Sequence, residues 1–470
     1  MPFSGKAWRL MLAASAAPML FLATTPVLAE TIESALVRAY QDNPQLNAQR
    51  ASVRSTDENV PQALSGYRPQ ISVTASGGSQ YTDTVLKQQD GAGGVTRSQL
   101  HGVNGPWSAG ATITQTLYNG GRTGNRTRAA ESQVSAAREG LRVLEQSVLL
   151  AASTIYMDYL RDSAIVEVQR SNVNVLEQTL KQTQDRFNVG EVTRTDVAQS
   201  QAQLAAGRTQ LLAAESTLTT TRANYRRIIG SDPQNPQPGS PVDRYLPKTL
   251  AQAVDMGLVE NPNVTAAMYG IDVSFLQVKV NEGALFPTVT LQGNVQQANE
   301  QTLTAFKAFS ASAVANVSIP IYQGGAEYAL IRQSKETLAQ QRLNLDQVRD
   351  QTRATVAQSW GQLVATKSQV ASAQAQVTAS EIALNGVREE ARVGQRTTLD
   401  VLNAQQALVN ARIALVTAQH DRVVASYTVL NAVGRLSPVT LKLKTSVYDP
   451  SVHYHQVRDS WFGVRTPDGR

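Results

Sequence analysis

The residues that could do chemistry are few and far apart. The histidines are His101, His420, His453 and His455. No two of them stand four apart, and none falls in an acidic run with ligand spacing, so no metal site is expected. His453-Tyr454-His455 reads as a polar tail. There is no cysteine, which excludes disulfides, thiolate metal sites, a thiol nucleophile and a lipidated N-terminal cysteine. No nucleophile elbow or phosphate loop occurs. Gly120-Gly121 and Gly324-Gly325 read as turns that close strands. Two acids remain, Asp196 and Asp400, each shortly after a Val-Gly pair. A carboxylate there can cap the helix that follows. The side chains offer charge and hydrogen bonding but no bond-making machinery, so neither an enzyme nor a cofactor is expected.

The elements that carry these acids are written twice. Tyr118-Asn119-Gly120-Gly121 recurs as Tyr322-Gln323-Gly324-Gly325. The same offset of 204 maps Gly190 onto Gly394, Asp196 onto Asp400 and Gly230 onto Gly434. Upstream, Asn43-Pro44 returns as Asn261-Pro262 and Pro69 as Pro287, now offset by 218. The first copy therefore holds 14 extra residues between Pro69 and Tyr118. The polar stretch from Asp83 to Gly105 is their natural place and reads as a loop. Internal repetition of this kind is the first organising fact to extract from a sequence.

Each unit reads short helix, strand, strand, long helix, turn, medium helix. In the first repeat, 30–230, strands are expected at about 69–82 and 107–118, a long helix at 123–188 and a returning helix at 193–229. In the second, 248–436, strands are expected at about 287–297 and 308–322, the long helix at 326–392 and the returning helix at 397–433. Residues 231–247 hold five prolines and form a linker. Residues 437–470 fall outside the repeat and are expected to be equatorial or disordered.

The strands alternate with period two. Ile71, Val73 and Ala75 oppose Ser72, Thr74 and Ser76; Ala109, Ala111 and Ile113 oppose Ser108, Thr112 and Thr114. The second copy repeats this in Val289, Leu291 and Val295 and in Phe309 to Ile321. Each is about long enough to span an outer membrane when tilted, and aromatics stand near the ends. The long helices contain no proline. At about 1.5 Å per residue they would reach roughly 100 Å. Val134, Leu141, Val148 and Ile155 stand seven apart, as do Val197, Leu204, Leu211 and Leu218, which is coiled-coil spacing. The returning helix is shorter than its partner, and the pre-strand helix, about Pro44 to Ser65, would fill most of the gap if stacked end to end.

Residues 1–29 read as a secretory signal: Lys6 and Arg9 precede an apolar stretch that ends at Val27-Leu28-Ala29. The whole chain carries 43 Lys and Arg against 37 Asp and Glu, net +6. Two of those cations lie in the signal, and the rest are spread along helices, so no nucleic-acid partner is expected. No apolar run of about 18 residues follows the signal, which excludes a transmembrane helix. Four strands cannot close a barrel, and open edges in lipid leave backbone groups unsatisfied. Eight strands from two copies would leave no aqueous lumen, whereas twelve from three copies could.

Tyr-x-Gly-Gly after a strand, Arg186-Phe187-Asn188-Val189-Gly190, Gly394 to Asn403, and Leu246-Pro247 with Asn261-Pro262 together resemble the TolC family of outer-membrane efflux proteins. The resemblance covers nearly all of the chain after residue 29. It implies a mixed α and β membrane protein, a homotrimer with a twelve-stranded outer-membrane β-barrel. A long periplasmic α-helical barrel would continue it, with linker and tail as an equatorial belt. It implies an exit duct for an efflux pump or a type I secretion system. Its partners would be outer-membrane lipid, a periplasmic adaptor (membrane fusion) protein and, through that, an inner-membrane RND or ABC transporter. The tips Val189, Gly190, Val393 and Gly394 would dock the adaptor. Asp400 would form the constricting acidic ring. Asn403 stands where the family has a second acid, implying a single ring with weaker cation block. Thr195, Asp196 and Arg396 match the polar links that hold the tip shut, although Ala391 replaces the family's aromatic partner. The rival reading is a soluble periplasmic coiled-coil adaptor or structural protein. A diffusion porin would lack the long helices.

Overall fold

The computed structural model describes residues 30–467 except 90 and 92, and residue 469. The signal expected at 1–29 lies outside the described residues. The first repeat runs α1 (Ile32–Asp42), α2 (Pro44–Asp57), α3 (Asn59–Leu64), β1 (Gln70–Gly77), β2 (Gln80–Gln89), β3 (Val95–Asn104), β4 (Trp107–Asn119), α4 (Arg122–Asn188) and α5 (Arg194–Ile229). The second runs α6 (Leu250–Glu260), α7 (Pro262–Glu282), β5 (Thr288–Thr302), β6 (Ala305–Ser318), α8 (Ala326–Arg392) and α9 (Thr398–Val433); α10 (Ser451–Val457) lies in the tail.

One antiparallel sheet joins the repeats in the order β1-β4-β5-β6. Its register lines up the alternation of all four strands. Ile71 faces Ile113, Val73 faces Ala111, and Ala75 faces Ala109. Ala111 in turn faces Val295, which faces Ala311. On the other face Ser72, Thr112, Asn294 and Ser312 lie side by side. A slip of one residue would scramble both faces, so the pattern and the register specify each other. A bulge between Thr116 and Tyr118 takes Leu117 out of the ladder and brings Tyr118 opposite Val289. Apolar side chains on this sheet are largely exposed, among them Ile71, Val73, Val295, Phe309 and Val317.

The segment expected as a loop from Asp83 to Gly105 is instead a β-hairpin. β2 and β3 pair from Gln80↔Asn104 to Gln89↔Val95 as a separate two-stranded sheet. Its base is pinned by Asn104, whose Nδ2 donates to the Glu300 carbonyl at 2.5 Å, and by Glu300 Oε2, which accepts from Gly105 N at 3.0 Å.

The two long helices each have 67 residues and start behind a left-handed glycine, Gly121 or Gly325. The two returning helices each have 36 residues and end at left-handed Gly230 or Gly434. The heptad residues Val134, Leu141, Val148 and Ile155 are buried. Gly207 lets α4 and α5 approach: a Cβ there would lie 2.8 Å from Leu176 Cδ1. Above each returning helix the column continues through the Asn-Pro motif. Asn43 Oδ1 caps α2, while its Nδ2 donates to the Ile228 carbonyl at the end of α5 at 3.3 Å. Asn261 caps α7 and donates to the Ala432 carbonyl of α9 at 2.9 Å. One side chain thus satisfies the amides of one helix start and a carbonyl at the end of the returning helix, groups that a helix alone leaves unpaired.

The largest core cluster sits at the waist, where Leu36, Tyr40, Leu149, Tyr156, Tyr225, Ile229, Tyr427 and Leu430 meet. The linker folds onto it: Gln237 N donates to the Glu30 carbonyl at 2.8 Å, and Tyr156 Oη donates to the Gln237 carbonyl at 2.7 Å. Burial pushes the Tyr156 phenol up to about 12. The tail is not a loose polar end. Leu441 and Leu443 join the waist core beside Leu436, the last residue of the second repeat. The tail then climbs toward the sheet. Tyr448 N donates to Tyr40 Oη at 3.2 Å, buried His453 Nδ1 lies 3.0 Å from buried Asp57 Oδ2, and Arg458 reaches Glu131 at 3.4 Å. The polar-tail reading of His453 is thereby corrected.

The two glycine caps differ in their surroundings. Gly230 and Gly434 have φ of 93° and 89°. A Cβ at Gly434 would lie 2.6 Å from Asn261 Cα, whereas at Gly230 the nearest atom is Asp42 Cβ at 3.8 Å. Gly230→Ala is expected to cost about 1–2 kcal/mol, the left-handed penalty alone, and Gly434→Ala more. Thermal loss of the helical circular dichroism signal checks the ranking; equal losses would contradict the backbone clash.

Candidate functional site

The ends of the two helix hairpins are built alike. At the first tip Gly190 N donates to the Phe187 carbonyl and Glu191 N to the Arg186 carbonyl, both at 2.9 Å. At the second, Gly394 N donates to Ala391 O at 3.2 Å and Gln395 N to Glu390 O at 2.9 Å. Gly190 and Gly394 have φ of 81° and 79°, and nothing lies within 4 Å of a Cβ built on either. Backbone conformation, not crowding, is what requires glycine there. The preceding Val189 and Val393 are 73% and 71% exposed. Each tip therefore offers a bare apolar knob, flanked by exposed Phe187 at one and exposed Leu399 at the other.

Both acids act as helix caps. Asp196 Oδ2 accepts from Thr193 N at 2.9 Å and Thr193 Oγ1 at 2.7 Å. Asp400 Oδ2 accepts from Thr397 N at 3.0 Å and Thr397 Oγ1 at 2.9 Å. The bonds from Thr193 hold the Asp196 carboxyl below the usual carboxylate range. Those from Thr397, with a smaller pull from Arg396, do the same for Asp400. Each cap engages Oδ2, leaving Oδ1 outside it. Thr195, Arg396 and Asn403 are exposed.

The structure does not bring Asp196 and Arg396 together. Arg396 Nε lies 2.8 Å from Glu390 Oε2 within its own hairpin, and Asp196 is engaged by Thr193. Near the tips, Leu402 of α9 packs with Val173, Leu176 and Leu204 of the first hairpin, and the hydrogen bonds that cross there among the described residues join amides. Gln203 Nε2 on α5 donates to Gln406 Oε1 on α9 at 3.2 Å. Gln405 Nε2 on α9 donates to Asn172 Oδ1 on α4 at 3.4 Å, while Arg388 Nη2 on α8, within the same hairpin, donates to Gln405 Oε1 at 3.0 Å. Sequence reasoning missed these residues. The available signal was Gln405 itself, a polar residue in the apolar stripe between Val401 and Leu408.

At the waist, His420 is buried on α9 with its Nε2 2.9 Å from Asp158 Oδ1 on α4 and its Nδ1 2.8 Å from Asp421. Burial opposes its charge, but the two carboxylates outweigh that and raise its pKa. Arg161 lies 2.8 Å from both Asp158 and Asp162, and Thr221 Oγ1 on α5 donates to Asp162 at 2.7 Å. This network ties the repeats together. Among the described residues no group of three or more His, Cys, Asp or Glu could hold a metal ion.

The family model for outer membrane efflux proteins matches residues 35–231 and 253–435, one segment in each repeat. The outer membrane efflux protein BepC of Brucella suis biovar 1 is 41% identical over 444 residues, covering 94% of this chain and 94% of that protein. The outer membrane protein TolC of Vibrio cholerae serotype O1 is 25% identical over 439 residues, covering 88% and 93%. Among solved structures, the Campylobacter jejuni CmeC outer membrane channel superimposes with a TM-score of 0.75 at 16% identity, covering 91% of this chain and 89% of that one. The Vibrio cholerae outer membrane protein VceC gives 0.71 at 18% identity, covering 86% and 96%. These structures share the fold: a strand portion continued by long helix hairpins in two tandem repeats. With both repeats matched and a relative at 41% identity over nearly its whole length, the chain belongs to the outer membrane efflux protein family, whose members are outer-membrane channels and not enzymes.

Proposed function

We propose that three copies of this chain pool β1, β4, β5 and β6 into a twelve-stranded barrel, and that the helices beneath it form a tube reaching across the periplasm. The observation that carries this reading is the sheet: four strands in one register, apolar on one face and Ser, Thr, Asn and Gln on the other, with β1 and β6 as unpaired edges. Lipid suits the first face and a wet lumen the second. The tube is a passive duct. Relatives carry names for efflux, for alkaline protease secretion and for pyoverdine export; the duct is what such uses share. The exposed Val189-Gly190 and Val393-Gly394 tips dock a periplasmic adaptor, which couples the duct to an inner-membrane transporter.

The narrow end of the duct is the tip, and Asp400 is its selectivity ring. Three carboxylates on the axis favour cations and repel anions. Asn403 one turn along adds no second ring of charge. The closed tip is held by the amide ties Gln203–Gln406 and Asn172–Gln405, because Asp196 and Arg396 are engaged within their own hairpins. Neutral ties of this kind are weakly sensitive to salt, unlike exposed ion pairs.

Three outcomes follow in planar-bilayer recordings. Asp400→Ala reduces block of the single-channel current by multivalent cations, and unchanged block would reject the ring. Asp400 has a depressed pKa, so its charge persists above that value and is lost as pH falls through it. Thr397→Val removes the capping hydroxyl and shifts the pH at which block disappears upward; an unshifted profile would show that the cap does not set this titration. Gln203→Ala with Gln406→Ala raises closed-state conductance more than Arg396→Ala does, and the reverse order would remove the amides from the gate.

A further inference from the structure

The tail from Ser451 onward packs along α2, α3 and α4 and arrives at the foot of the sheet. Tyr454 packs with Val60, Ala130 and Val134, and Arg138 lies over its ring at 5.0 Å. Arg68 Nη1 then donates to the Ser460 carbonyl at 2.5 Å, and the Arg68 guanidinium stacks on the Trp461 ring at 4.8 Å. Arg68 stands two residues before Gln70, where β1 begins. Trp461 is thus fixed at the lower rim of the sheet, beside exposed Tyr67. Tyr118, Phe286 and Tyr322 mark the same rim at the ends of the other strands, and all are exposed.

From this foothold the chain presents Trp461, Phe462 and Val464, which are 65%, 93% and 100% exposed. Arg465 follows, exposed and without an ion pair among the described residues. Among the described residues nothing covers these apolar groups, although the tail leading to them is docked by buried His453 and Asp57. Two aromatics, an aliphatic and a cation are the composition of a segment that sits at the boundary between acyl chains and headgroups. The rim is continuous with the apolar face of the sheet.

We propose that Trp461, Phe462 and Val464 form a lipid anchor: the docked tail inserts them into the periplasmic leaflet of the outer membrane, with Arg465 at the phosphates. This rests on the barrel reading, since it takes its depth from the sheet. The tail thereby adds to the aromatic girdle a second attachment that no strand provides. It also fixes the height of the tube against the membrane, because the strap fastens to the waist at Tyr40 and to the sheet at Arg68.

The test uses tryptophan emission from the full protein reconstituted in phosphatidylcholine vesicles whose acyl chains carry bromine near the headgroup. Of the four tryptophans, Trp8 lies in the expected signal. Trp107→Phe with Trp360→Phe leaves Trp461 as reporter. Trp360→Phe with Trp461→Phe leaves Trp107, on the apolar face at the far end of β4. Quenching of both reporters supports the anchor. Quenching of Trp107 but not Trp461 overturns it while the barrel stands; acrylamide then tells whether Trp461 is covered by a neighbouring copy or free in water. Loss of quenching at both overturns the barrel reading and the anchor with it. The chain has no cysteine, so Phe462→Cys carrying a nitroxide gives a reading that leaves Trp360 untouched. Greater accessibility to oxygen than to a water-soluble nickel chelate is expected, and the reverse overturns the proposal.

Discussion

An unpaired strand edge cannot face hydrocarbon. Each backbone N–H and C=O left open there costs several kcal/mol, and within one chain β1 and β6 each offer such an edge. The two faces of the sheet make escape into water equally poor, because one is lined from strand to strand by Ile, Val, Ala and Phe. The only arrangement that satisfies edges and faces together is closure with further copies, apolar face outward. The β2–β3 hairpin escapes this constraint. It lies outside the four-stranded sheet, and its open edges can bond to water.

The helical part answers a different demand, that of making a wall rather than a solid core. Its long helices bury narrow heptad stripes, and its interior clusters are small except at the waist. Continuity between short and returning helices then depends on single side chains. Asn43 and Asn261 each serve two helix ends at once. The waist is where the linker, α1 and the first part of the tail converge, and where Asp158, His420 and Arg161 bind one repeat to the other. Toward the tips these ties thin to a few amides and the small cluster of Leu402 with Val173, Leu176 and Leu204.

Much of this was legible in the sequence, and for identifiable reasons. The 204-residue offset located both tip turns, both cap acids and both C-terminal glycines, because each is a backbone requirement that tolerates few residue types. Strand alternation was readable because one face meets lipid and the other water. The β2–β3 hairpin was not, since Asp83 and Lys87 share a face with Tyr81 and Val85 and cancel the period-two signal. Strand β4 was expected as far as Tyr118, but the bulge at Leu117 that carries it there is announced by no periodicity. Within one chain Asp196 and Arg396 have nearer partners, Thr193 and Glu390, which motif matching alone does not reveal. His453 looked like part of a polar tail because its partner, Asp57, lies almost 400 residues away in sequence.

The account stands on closure of the sheet by copies of the same chain. The most direct test is the protein mass of the detergent-solubilised particle, measured by light scattering with the detergent contribution removed. Three chains of 50.7 kDa each, or slightly less where the signal expected at 1–29 is removed, is the predicted result, with precipitation once detergent is withdrawn. A single chain that stays monodisperse in plain buffer would contradict the barrel and the duct built on it.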